Sequence, residues 1–188
     1  MFWLYMLKKL FCEWIKSIEL PKSPLYCIPQ NALYLNFNYT KILEDTYKID
    51  PANILHIHGS ADSEIEFGNP DVALFNYKSE DSRVLEVKDE INRALKSVHK
   101  DIVSIISRNQ FFFSYLDEIQ KIYILGHSMN EIDEPYFLKI KKSISSNTHW
   151  IASYYNESDR QRAKELLSDK LYIDSFEIKK LDSILKIT

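Results

Sequence analysis

The segment 32-ALYLNFN-38 carries apolar residues at Leu33, Leu35 and Phe37, and also at Ala32 and Tyr34. An apolar run without alternation suits a strand buried on both faces, as in a parallel sheet. Behind it, 39-YTKILEDTYKI-49 spaces Ile42, Leu43, Thr46 and Tyr47 as a helix does, and Asp50-Pro51 ends the pattern. A second strand follows at 53-NILHIHG-59. Strand, helix and strand in this order form one crossover unit, which restricts the chain to α/β folds.

The last third repeats that grammar. The spacing predicts a strand over 121-KIYILGHS-128, a helix over 133-DEPYFLKIKKSISS-146 and a strand over 148-THWIASYY-155. A helix over 158-SDRQRAKELLS-168 and a final strand near 172-YIDSFEI-178 complete it. Asp133 as a cap and Pro135 near the helix start agree with this division. The expected architecture is an open, mostly parallel, Rossmann-like sheet with helices on both faces, built as a single α/β domain over residues 1–188.

Between these parts, residues 60–83 are irregular, with short β-like pieces at 64-EIEFG-68 and 72-VALFNY-77. Ordered loops of such length often serve as lids or binding loops. Residues 84–120 read as a helical insertion, with Val84, Val87, Ile91, Leu95, Val98, Ile102, Ile105 and Ile106 on one stripe and a break near Arg108-Asn109. The triplet 111-FFF-113 reads as packing. At the start, Phe2, Leu4, Leu7, Phe11, Trp14, Ile15 and Ile18 predict an amphipathic helix that needs a partner surface. Lys8, Lys9, Glu13 and Lys16 interrupt it, which argues against a signal peptide or a membrane span. The segment 21-PKSPLYCIPQN-31 reads as a connection.

Composition narrows the class. The chain has 188 residues, 45% of them hydrophobic and 27% charged, as expected of a globular protein. A net charge of −3 with mixed signs argues against a general nucleic-acid or acidic-membrane binder. Cys12 and Cys27 have no metal-like spacing and read as reduced thiols of a cytoplasmic protein.

Only three glycines occur, Gly59, Gly68 and Gly126, where average usage of about 7% would give roughly a dozen. Two of them close strands beside histidines. Ligands of open α/β sheets bind outside the carboxyl ends of the strands. Three polar groups fall at that edge: Asn36, Asn38, Tyr39 and Thr40; His56, His58, Gly59 and Ser60; and Gly126, His127 and Ser128. A core-only explanation would not repeat glycine, histidine and asparagine at the same end of different strands. One reading is a metal site, since His56 and His58 are two apart on a strand and His127 offers a third ligand. No cysteine or acid stands nearby at ligand spacing, so no metal is expected, and His56 reads as a hydrogen-bonded support residue. The other reading is a nucleotide or ribose site. Asn38 offers donor and acceptor groups, His58 exchanges a proton near neutral pH, and the glycines let backbone amides approach a ligand. A glycine-rich phosphate loop is absent.

The runs 33-LYLNFNYTKILEDTY-47, 54-ILHIHGSAD-62 and 122-IYILGHSMNEIDEPYF-137 resemble, in order and spacing, the conserved series of the AbiH-type bacteriophage abortive-infection proteins. That family is distantly similar to the sirtuin-like NAD-binding fold. By this resemblance Asn38 takes the place of an asparagine that positions the nicotinamide ribose and water, and His58-Gly59 that of a pair whose histidine is the general base. Gly126-His127-Ser128 resembles a third, ligand-binding turn, and Thr40 stands where sirtuins carry an aspartate. Members of the family usually open with a strand and a glycine-asparagine-glycine-phenylalanine-aspartate turn. Nothing like it precedes Phe2, so the chain is expected to be the C-terminal part of a longer protein, or a homo-oligomer.

The resemblance implies anti-phage defence, with NAD or a related nucleotide as the ligand that Asn38 and His58 act on; the residues themselves identify no cofactor. The alternative is a non-catalytic module that senses a phage-derived trigger or assembles through the 84–120 helices.

Overall fold

A computed structural model describes residues 2–66, 68–70, 74, 76–78, 81–97 and 99–186. The chain is divided into two compact units, Met1–Lys22 with Asn31–Asp101, and Ser23–Gln30 with Ile102–Thr188.

In the first unit, α1 (Phe2–Ser17) is the expected amphipathic helix. Ile15 is buried and the Phe11 ring meets Tyr39 edge-on at 5.1 Å, whereas Tyr5, Leu7, Leu10 and Trp14 remain exposed. Strands β1 (Tyr34–Asn36) and β2 (Ile54–His56) pair in parallel, with Tyr34 opposite Ile54 and Asn36 opposite His56. The crossover between them is therefore present. Its helix α2 is only Ile42–Asp45, shorter than the periodicity predicts. The Thr46 hydroxyl donates to the Pro21 carbonyl, and Lys48 adopts a left-handed φ of 59°, so the chain turns before another helical turn can form. Asp50 then caps a 3-10 turn, Pro51–Asn53, that leads directly into β2.

Helix α3 (Ser82–Ser97) also belongs to this unit. Its expected stripe is not a core. Val84, Val87 and Ile91 are 37%, 57% and 39% exposed, because the helix carries apolar periodicity without a surface that covers it within the described residues. Val98 and residues 67, 72, 73 and 75 of the two expected β-like pieces lie outside the described residues.

The second unit holds the larger sheet. The stripe expected to run from Val84 to a break near Arg108-Asn109 is already divided, since α3 ends at Ser97 and α4 (Ile102–Arg108) belongs to this second unit. The break at Asn109 then separates α4 from α5 (Gln110–Ser114), where the Asn109 amide donates back to the Ile105 carbonyl. Of the phenylalanine triplet Phe113 is buried, while Phe111 points to solvent. Strands β3 (Lys121–Ile124), β4 (His149–Tyr154) and β5 (Phe176–Lys180) form a parallel sheet in sequence order. Helix α6 (Glu134–Ser143) links the first two and packs on α4 and α5. Helix α7 (Glu157–Lys164) links the last two, packs on β4 and β5, and continues into π-helical turns over Glu165–Lys170. Helix α8 (Leu181–Ile184) closes the unit. The core is Trp150, Tyr136, Phe137, Phe113, Ile105, Leu167 and Leu171, all nearly inaccessible. Each side chain of this kind contributes about 1.5–3 kcal/mol on burial.

The described strands thus form two parallel sheets, of two and three strands, where one continuous sheet is expected from the sequence. Apolar runs specify that a strand exists and is buried; they do not specify its neighbour. Among the described residues no helix is long and apolar enough to cross a membrane.

Candidate functional site

The parallel register of Asn36 with His56 brings the carboxyl ends of β1 and β2 to one edge. Asn36 is buried there. Its Oδ1 accepts the Asn38 N–H at 3.0 Å and its carbonyl accepts the Ile57 N–H, which bends both chains into the loops that follow. Its Nδ2 is buried with no hydrogen-bond partner. Such a donor is costly to leave unmade, by about 1–3 kcal/mol.

His56 is held from both sides. Nδ1 lies 3.0 Å from the Asn38 carbonyl and Nε2 lies 2.8 Å from Glu44 Oε1. The Asn38 carbonyl can only accept, so Nδ1 donates to it, and Nε2 pairs with the Glu44 carboxyl group. Glu44 Oε2 is buried and has no hydrogen-bond partner. The expected support role of His56 therefore has a definite form: it ties the Asn38 loop to α2.

His58 is 6% exposed, and so is Lys100, whose Nζ lies 2.7 Å from His58 Nε2. The ring stands edge-on to Phe37 at 5.5 Å and tilted to Tyr39 at 6.3 Å. Tyr39 is itself pinned, its hydroxyl donating to the Glu66 carbonyl and its own carbonyl accepting the Ala61 N–H. Asn38 is exposed and Thr40 half-buried at the same loop. At the start of β1, burial raises the Tyr34 phenol from its ordinary value.

Gly59 has a φ of 76°, and a Cβ built on it would lie 1.9 Å from the Glu64 carbonyl oxygen. Its N–H donates to the His56 carbonyl. The residue is glycine because the loop folds back over it, and its amide is already used. Ser60 closes the same loop, its N–H donating to Ser63 Oγ at 2.8 Å.

The third expected group belongs to the second unit. Gly126, with φ 62°, donates its N–H to Ser153 Oγ at 2.9 Å, tying the end of β3 to β4. His127 Nδ1 accepts the Met129 N–H at 2.8 Å, which places the ring proton on Nε2, 3.4 Å from Asp133 Oδ2. His127 is thus a turn staple packed edge-on against Phe137. The Ser128 carbonyl accepts Nε of Arg162 at 2.9 Å. Arg162 also bonds Asp159 and Ser158, and it lines a cavity of about 240 Å³ with Met129, Glu131, Glu134, Leu166 and Lys170. Lys170 spans Glu134 at 2.7 Å and Glu131 at 3.2 Å, and these bonds hold its ammonium above the ordinary lysine value.

Among the described residues no three metal-ligating side chains gather. Glu44 and Lys100 carry no signal in the sequence as site residues, since each acts on a histidine remote in the chain.

The family model of bacteriophage abortive infection AbiH matches residues 4–154, which include the strands β1 to β4 and the polar groups at the ends of β1, β2 and β3. No curated protein and no solved structure matches the chain significantly. With four-fifths of its length covered by that match, the chain belongs to the AbiH family of bacteriophage abortive infection proteins.

Proposed function

We propose that the protein acts in abortive infection by binding NAD or a related nucleotide at the carboxyl edge of β1 and β2 and hydrolysing its N-glycosidic bond. The observation that carries this reading is the pair of buried, unsatisfied polar atoms there, Asn36 Nδ2 as donor and Glu44 Oε2 as acceptor. Exposed Asn38 is bonded to both Asn36 and His56, and buried His58 follows two residues after β2. A ribose or carboxamide, which both donates and accepts, suits such a set. The N–H of Gly59 is bonded within the chain, so recognition at this edge runs through side chains.

In the reaction the bond from C1′ to the nicotinamide nitrogen breaks and its electron pair leaves with nicotinamide. Water adds to C1′, oriented by Asn38, and its proton passes to His58. The sirtuin-like resemblance read in the sequence motivates these two roles. With purified full-length protein, nicotinamide release from NAD falls about 100-fold or more in Asn38→Ala and His58→Ala. Protein that neither binds nor consumes NAD overturns the reading.

A second reading rests on α3. Val84, Leu85, Val87 and Ile91 expose an apolar surface suited to a protein partner, as a non-catalytic sensing or assembly module requires.

A further inference from the structure

We propose that Lys100 is the positioning residue of this site, fixing His58 as the Nδ1–H tautomer and guarding its Nε2 lone pair. The inference rests on the site reading above but reaches a residue outside the resemblance. A lysine ammonium has three donors and no acceptor, so a 2.7 Å contact makes His58 Nε2 the acceptor and leaves the ring proton on Nδ1. Each partner is only 6% exposed, so solvent competes weakly for the bond.

The lysine is anchored from its backbone. Its N–H donates to the Asn69 carbonyl at 3.1 Å, and Asn69 bridges His99 in parallel. The imidazole meets the Phe37 ring in a T-shaped contact, and the His58 carbonyl accepts the Glu66 N–H at 2.9 Å. Three segments remote in sequence thus converge on one hydrogen bond. Any proton that His58 takes up goes to Nε2, the only ring nitrogen with a lone pair. Uptake requires the ammonium to release it, so Lys100 controls when the base is available.

The test is the tautomer of His58, read by NMR on protein carrying isotope-labelled histidine, with assignment by His58→Gln. The wild-type ring is expected as Nδ1–H. Lys100→Met is expected to lose that preference and shift toward the Nε2–H form. A wild-type ring that is Nε2–H overturns the proposal, even where Lys100→Met fails to fold. A folded Lys100→Met protein with an unchanged tautomer overturns it as well. The readout needs no turnover: a protein that leaves NAD intact overturns the proposed hydrolysis, whereas the wrong tautomer overturns the role of Lys100.

Discussion

His56 Nε2 lies 2.8 Å from Glu44 Oε1, joining the last residue of β2 to the short helix that precedes it. The two side chains are 13% and 11% exposed, so the pair is shielded. Glu44→Ala leaves the His56 nitrogen facing no partner and lowers the stability of the first unit by about 1–3 kcal/mol. A urea titration checks this; an unchanged midpoint would show that the pair does not hold α2.

The two left-handed glycines separate steric from conformational need. Gly126→Ala meets nothing within 4 Å and costs only the left-handed penalty of about 1–2 kcal/mol. Gly59→Ala carries the same penalty and drives its Cβ into the Glu64 carbonyl. The second variant is expected to lose clearly more stability than the first in thermal unfolding. Equal losses would mean that the 59–64 loop moves aside freely.

Lys170 gives the second unit an alkaline dependence. Hydrogen bonds that it donates to Glu134 and then Glu131 raise its folded value above the ordinary 10.5. Stability from this group is therefore fully present below that ordinary value and is lost as pH rises through the raised one. Lys170→Met should remove that alkaline loss, seen by comparing urea midpoints between about pH 9 and about pH 11. Parallel curves for both proteins would contradict the assignment.

Asn156 and Asp159 form a reciprocal capping box at the start of α7, with the Asn156 side chain accepting the Asp159 N–H at 2.9 Å. Asn156→Ala should cost about 1 kcal/mol in equilibrium unfolding, and Asn156→Ser much less.

The strands and their parallel direction are legible in the apolar runs, and the helix break at Asn109 in the loss of periodicity. What escapes is partnership. The period of α3 reads correctly as helix, yet Val87 is 57% exposed, because period marks a face and says nothing of what covers it. The Ile57-His58 turn cuts β2 short of Gly59, since the Gly59 N–H bonds the His56 carbonyl instead of extending the ladder. His56 and His58 are visible as a strand-end pair. Their different roles depend on Glu44 and Lys100, which only the folded chain brings to them.

The most direct measurement is phage plating on cells expressing the full-length protein, its His58→Ala variant, and an α3 variant in which Val84, Val87 and Ile91 are replaced by serine. The account predicts that His58→Ala abolishes protection while the α3 variant, expressed to the same level, retains it. Protection that survives His58→Ala and is lost in the α3 variant would contradict the account and favour an assembly or sensing module.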